Sequence, residues 1–313
     1  MKLLLVGGSQ RPVTVGDRDH EHLYDAGILA ALDPADGALD QRLRYVSEGW
    51  PHPRHGQVFK GISRSGDHLV IATEREVLDV AASGDVLGRF SHPLFNDVHH
   101  AIRHESRLYV ASSGLDGVVI TGGDRDHFEG ISDPEERDYR SVSTKPHAWH
   151  PNHVFAFDGR VWMTRCHPGD AVALGEPART MDLGPERVHD GLVQGDRVWF
   201  TRVDGHLVQS DGHRITRTID LNRVVGLAEP LGWCRGLHIV GTTAYVGFTR
   251  LRATRFVDRL SWVKGMLAGR QWRSRLPTRV AAFDLEAERL LHEWVVEPVG
   301  LHAVFGIESD SEG

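Results

Sequence analysis

The feature that most constrains this chain is a strand–turn–strand unit that recurs along it. A short apolar strand, a tight polar turn containing Gly, Asp or Ser, and a second strand of aromatic and β-branched residues appear at Gly61–Thr73, His100–Ser112, His153–Thr164, Asp190–Thr201 and Gly236–Thr249. The copies begin at residues 61, 100, 153, 190 and 236, spacings of 39, 53, 37 and 46 residues. A lone hairpin cannot bury its apolar faces. Repeated at a period of roughly 40 to 50 residues, it predicts the four-stranded blades of a β-propeller. Between copies, segments such as Val77–Val80 and Val86–Phe90, joined through Ser83-Gly84-Asp85, supply the outer strands.

The chain ends complete a sixth blade. Gly300–Phe305 resembles the inner strand Gly236–Val240 but has no partner after it, and Lys2–Gly7 resembles a second strand with none before it. Pairing the two closes the ring and removes its exposed edges. Gly27–Leu32 and Leu43–Val46, joined through Asp36-Gly37, provide the rest of that blade. The fold class is therefore all-β, a six-bladed β-propeller closed by pairing of the C-terminal inner strand with N-terminal strands, and residues 1–313 read as one domain. Two insertions interrupt it. Residues 123–149 begin acidic and predict a long loop over one face; residues 250–279 are rich in Arg, with Phe256, Leu260, Val263 and Leu267 near helical spacing. The second predicts a short helix near 253–270, either packed on the propeller with solvated arginines or docked to a partner or membrane surface.

Composition narrows the class. With 40% apolar and 25% charged residues the chain is an ordinary globular one, and 36 Lys and Arg against 43 Asp and Glu, a net charge of −7, argue against nucleic acid as partner. Two cysteines make no disulfide framework and suit a reducing compartment. The apolar start Met1–Val6 stops at Gly7-Gly8 without a cleavage site and reads as a strand. No run approaches the roughly 20 apolar residues of a transmembrane helix. The expected location is cytoplasmic.

Twenty residues are His, and their positions in the repeat matter more than their number. The inner strands of a propeller start near its axis, so residues at those starts converge. The starts read Lys60-Gly61, His99-His100, Asn152-His153, His189-Asp190, Arg235-Gly236 and Val299-Gly300, with His238 and His302 two positions further on in the last two. This predicts that His100, His153, His189, His238 and His302 meet in one axial pocket and hold a divalent metal ion, imidazole being the commonest side-chain ligand. Asp97 and Asn152 can add oxygen ligands or orient an imidazole. His189, Asp190 and His99 are the candidate acid–base residues. The plainer alternatives are that each inner-strand His is a hydrogen-bonded residue tying neighbouring blades, or that the pocket works without metal. His52, His55, His147, His150, His167 and His206 read as loop and surface residues, with His150 and His167 flanking the pocket.

Three successive second strands end in Thr164-Arg165, Thr201-Arg202 and Thr249-Arg250. These arginines, with Arg235, Lys60 and Asn152, are expected to ring the same mouth and bind a small polar or anionic molecule, since a guanidinium matches the two oxygens of a carboxylate, sulfate or phosphate. Alternatively the Thr-Arg pair is a structural consensus that bridges blades. The chain carries no Gly-x-Ser-x-Gly elbow, phosphate-cradling loop, His-Glu-x-x-His or paired-cysteine zinc motif.

The elements Asp97-Val98-His99-His100, His150-Pro151-Asn152-His153 with Trp162-Met163-Thr164, and Cys234-Arg235-Gly236-Leu237 with Val246–Arg252 resemble a group of uncharacterised bacterial proteins expected to be six-bladed propellers. The resemblance spans about residues 90–255 and implies that the His, Asn and Arg at blade starts belong to a site, without naming a reaction. More loosely, the architecture is similar to gluconolactonase and strictosidine synthase propellers, whose sites lie at the axial mouth; the Glu, Asn and Asp metal set of the lactonases is not evident. The expectation is a metal-dependent hydrolase or lyase. Its alternatives are a metal-free His/Asp acid–base enzyme of a biosynthetic pathway and a non-catalytic ligand- or partner-binding propeller.

Overall fold

A computed structural model describes residues 1–11, 24–48, 57–142, 144, 146–227, 230–251 and 276–310. Its strands are β1 (Leu3–Gln10), β2 (Tyr24–Leu32), β3 (Leu39–Tyr45), β4 (Gly61–Ser65), β5 (His68–Ala72), β6 (Val77–Ala81), β7 (Val86–Phe90), β8 (Val98–His104), β9 (Arg107–Ser112), β10 (Gly117–Thr121), β11 (His127–Gly130) and β12 (Pro151–Phe157). There follow β13 (Arg160–Arg165), β14 (Asp170–Ala173), β15 (Glu176–Asp182), β16 (Val188–Gln194), β17 (Arg197–Arg202), β18 (His206–Ser210), β19 (Ile215–Asp220), β20 (Trp233–Val240), β21 (Thr243–Thr249), β22 (Arg279–Asp284), β23 (Arg289–Val295) and β24 (Ala303–Ser309). They form six four-stranded antiparallel sheets, five from consecutive strands and the sixth in the order β24-β1-β2-β3. The six-bladed propeller is thus closed by the two chain ends, with Leu3 facing Ser309 and Gly8 facing Ala303.

The core lies between blades and follows from strand alternation. Leu3 and Leu5 of β1 pack with Ile28, Val304 and Val280 on one side, while Leu4 and Val6 pack with Phe59, Ile62 and Ile71 of the next blade on the other. Because both faces of the blade are covered, β1 reads as the unbroken apolar run Leu3–Val6 instead of alternating. Second-strand hydroxyls stitch one blade to the next: Thr164 Oγ1 donates to the Asp190 carbonyl at 2.8 Å, and Thr249 Oγ1 accepts from the Val304 N–H at 3.0 Å.

Three details differ from expectation. In the last blade the inner strand begins at Ala303, and residues Glu297–Val299 make a 3₁₀ turn closed by Gly300 at φ 80°. The register break opposite Val6 and Gly7 lies across Val304–Gly306, where β20 has its own break across Cys234–Leu237, so Gly306, not Gly300, is the counterpart of Gly236. In the 123–149 insertion, β11 pairs with β10 as the fourth strand of its blade before the chain becomes a loop. The sole α-helix among the described residues is α1 (Leu221–Val225), capped by the Asp220 side chain. The helix expected near 253–270, most of the Arg-rich segment, and His52 and His55 lie outside the described residues.

Five blades share a device at the axis. The register of the inner strand slips between Val98 and His100, Pro151 and His153, His189 and Leu192, Cys234 and Leu237, and on β24 opposite Val6 and Gly7. Asp97, His150, Asp190 and Gly236 adopt left-handed backbone beside these bulges. A bulge re-aims side chains. Adjacent residues at each start therefore serve different places.

Candidate functional site

At the end of the propeller where the inner strands begin, Asp97, His147 and His150 form a group of three able to hold a metal ion, their ligand atoms all within 4.8 Å of one another. The two imidazoles bring Nδ1 atoms to 3.0 Å, and the Asp97 Oδ2 lies 4.0 Å from His147 Nδ1. One carboxylate builds this arrangement: Asp116 accepts the backbone N–H groups of Ala148, Trp149 and His150 at 2.7, 2.8 and 2.7 Å. These three bonds hold the loop before β12 and place His147 and His150 three residues apart over Asp97. Arg165, paired with Asp170 at 2.8 and 2.6 Å, supports the loop through its guanidinium 4.7 Å from the Trp149 ring centroid.

Further imidazoles pack around the three. His167 donates from Nδ1 to the His147 carbonyl at 3.0 Å and stacks on His150 at 5.3 Å. His99 meets the His150 ring edge-to-face at 4.6 Å. Its Nδ1 lies 2.8 Å from the Asp97 carbonyl, which can only accept, so Nδ1 carries the proton and Nε2 the lone pair. The protonation states suit a cation. Burial pushes the Asp97 carboxyl up, but Lys60, His99 and His150 outweigh it and hold the group well below the ordinary carboxylate range. Burial lowers His150 to about 3 against the pull of Asp97, with His147 and His167 adding to the fall. The site therefore offers a carboxylate and, at His150, a neutral imidazole, the states that metal binding requires.

Behind this mouth the axial channel runs along the inner strands with a volume of about 290 Å³, its wall including Lys60, His100, His153, Asn152, Asp190 and Arg235. Lys60 joins the two regions: it lines the channel while its ammonium contacts the Asp97 carboxylate and lies 3.4 Å from Glu74.

The five histidines expected to share one metal do not converge. His100 donates from Nε2 to the Ile62 carbonyl at 3.1 Å and accepts the Val154 N–H on Nδ1 at 3.4 Å, so both nitrogens are spent tying β4, β8 and β12 together. Burial lowers it to about 4. His153 stacks on it with centroids 3.6 Å apart and faces the channel. His189 points elsewhere: Nε2 lies 4.0 Å from Cys166 Sγ, and Nδ1 is buried without a hydrogen-bond partner among the described residues. Burial pushes the Cys166 thiol up to about 11, which leaves it unreactive. His238 lies 3.7 Å from Glu308, and His302, ahead of β24, accepts the Gln10 N–H on Nδ1 at 3.0 Å. The metal set read from repeat phase is thus corrected by two facts: bulges send neighbouring residues to different sides, and the last blade starts later than expected.

Asp190 lines the channel, with Oδ2 accepting the Thr201 hydroxyl and the Gly236 N–H; burial raises its carboxyl above the ordinary value despite these bonds and Arg235. Asn152 donates to the Val188 carbonyl at 2.7 Å and leaves Oδ1 buried without a hydrogen-bond partner among the described residues. Of the expected ring of cations, Arg165, Arg202 and Arg250 are committed to Asp170, Asp204 and Glu297. His147 and His150, the residues that complete the group of three, are ones sequence reasoning placed at the surface. The signal available was their spacing, two histidines three apart directly before a blade start.

No family profile matches the chain, and no curated protein matches it. Solved structures do. A protein of unknown function from Bacteroides caccae superposes with a TM-score of 0.62 at 13% identity, over 98% of this chain and 97% of the other. A protein named as a candidate 6-phosphogluconolactonase from Bacteroides fragilis gives 0.55 at 11% identity, covering 94% and 82%. A chain of a nidogen/laminin complex gives 0.53 at 11%, covering 98% and 97%. At these identities the likeness establishes the propeller fold alone. No helix among the described residues is long and apolar enough to cross a membrane.

Proposed function

We propose that this chain is a metal-dependent enzyme of the hydrolase or lyase type, its divalent ion held by Asp97, His147 and His150 and its small polar substrate seated in the adjoining axial channel. The observation that carries this reading is the convergence of one carboxylate and two imidazoles within 4.8 Å. Two imidazoles and a carboxylate leave coordination positions open for water or substrate, as in catalytic zinc and non-haem iron sites. A divalent ion there supplies a Lewis acid for a substrate oxygen or a water ionised near neutral pH. The chain's own groups do the rest. His99, with its Nε2 lone pair, is placed to take or return a proton, and Asp116 fixes the ligand loop through three charge-assisted bonds. Fold likeness to a candidate 6-phosphogluconolactonase puts hydrolysis of small anionic esters first among the reactions to assay.

Elemental analysis of protein incubated with Zn²⁺, Mn²⁺, Co²⁺, Ni²⁺ or Fe²⁺ and then desalted tests the reading. About one ion per chain, lost in Asp97→Ala, is expected; wild-type protein that retains none of these ions overturns it. The metal-free alternative rests on the buried, unpartnered Nδ1 of His189 beside Asp190. It predicts activity that survives chelation and falls in His189→Gln.

A further inference from the structure

Five cations were expected around the mouth, and their pairing separates one from the rest. Lys60 is held by Asp97 and Glu74, Arg165 by Asp170, Arg202 by Asp204 and Arg250 by Glu297. Arg235 has no carboxylate within 4 Å among the described residues, although it is only 6% exposed. One of its N–H groups donates to the Lys60 carbonyl at 2.6 Å, and its guanidinium lies 4.8 Å from the Phe305 ring centroid, over the face of that ring. No second hydrogen bond from its guanidinium is found among the described residues, and the side chain lines the channel. Asp190, the acidic group whose charge acts on it most, has Oδ2 committed to Thr201 and to the Gly236 N–H. A buried guanidinium without a counter-ion costs several kcal/mol, far more than an apolar residue of the same volume. An aromatic face and a single carbonyl offset part of that cost.

We propose that Arg235 is the anchor of an anion subsite in the axial channel, which takes the carboxylate or phosphate of a small hydroxylated molecule. The second half of the ligand is read from Asn152. The residue belongs to the same wall, and its Oδ1 is buried and lacks a donor among the described residues. A hydroxyl on the ligand satisfies that acceptor while its oxyanion satisfies Arg235. Volume sets the scale: about 290 Å³ is at the small end of ligand pockets and leaves room for a hydroxy acid or a short sugar phosphate. That this molecule is the substrate rests on the metal-dependent reading above; that the channel binds it does not.

The test is calorimetric titration of chelator-treated protein with inorganic phosphate, glycolate, glycerol 3-phosphate and neutral glycerol. One anion per chain is expected to bind, glycerol is expected not to, and the order of glycolate and glycerol 3-phosphate decides between carboxylate and phosphate. Arg235→Gln is expected to weaken anion binding at least tenfold, the loss of one or two charge-assisted bonds. Asn152→Asp, which keeps the guanidinium but sets a carboxylate in the wall, is expected to do the same and serves if Arg235→Gln does not fold. Wild-type protein that binds none of the three anions, or variants that bind them unchanged, overturns the subsite. Because metal is removed throughout, an anion-binding protein that takes up no metal refutes the proposed function and leaves the subsite standing.

Discussion

At the residue scale, histidines of one sequence pattern have separate occupations. His100 and His153 occupy corresponding positions in neighbouring blades, yet His100 is a hydrogen-bonded clip between three strands and His153 faces the channel. The clip has a pH signature. His100 titrates near 4 in the fold against about 6.5 in the unfolded chain, so the unfolded state binds the proton first. Its contribution is whole above pH 6.5 and lost as pH falls towards 4, roughly 3 kcal/mol across that window. Denaturant unfolding of wild type and His100→Gln at pH 7 and pH 4 should show the gap between them narrowing at the lower pH; a gap independent of pH contradicts the assignment. Asp116 acts at a distance through the backbone. Asp116→Ala should weaken metal binding on the order of tenfold or more, as removal of a ligand-orienting group does, with a far smaller change at an exposed control such as Asp124→Ala. The clip is the plainer reading that the sequence allows for an inner-strand His, whereas the role of Asp116 was not legible, because a carboxylate that ties down three N–H groups from thirty residues away leaves no local pattern.

At the element scale the strands were legible and their starts were not. Alternating or continuous apolar runs locate β4 to β9, β12, β13, β16, β17, β20 and β21 closely, since the inner strands of a blade bury side chains against both neighbouring blades. The bulges at the inner-strand starts were hidden, because one extra residue changes which side chain faces the axis without changing composition. They also explain a glycine. A Cβ on Gly61 would stand 2.4 Å from the His99 carbonyl oxygen and 2.8 Å from the His100 ring, so this blade start stays bare to admit its bulged neighbour. Gly61→Ala should destabilise the protein on the order of 2 kcal/mol or more, the cost of overpacking against backbone, read as a lower denaturant midpoint with unchanged slope. A midpoint equal to wild type would show that the bulge can shift.

At the scale of the whole molecule, closure and convergence are the two consequences of the repeat. Closure was read correctly from the orphan strands at the chain ends, and β24 covers Leu3 and Leu5 with Val304 and Ile307. A chain ending at residue 302 loses the inner strand of the closing blade and leaves β1 as an edge; it should aggregate or lose its cooperative melt by circular dichroism, and a soluble, cooperatively melting product would contradict the role given to β24. Convergence takes a different form from the one expected, since the candidate metal centre joins Asp97 to the loop ahead of β12 and does not include the axial histidines. The most direct test of that claim is calorimetric titration of Zn²⁺ or Mn²⁺ into wild type, His147→Ala and His153→Ala. One ion per chain, abolished in His147→Ala and kept in His153→Ala, is the predicted result; binding kept in His147→Ala and abolished in His153→Ala would contradict it and return the metal to the axis.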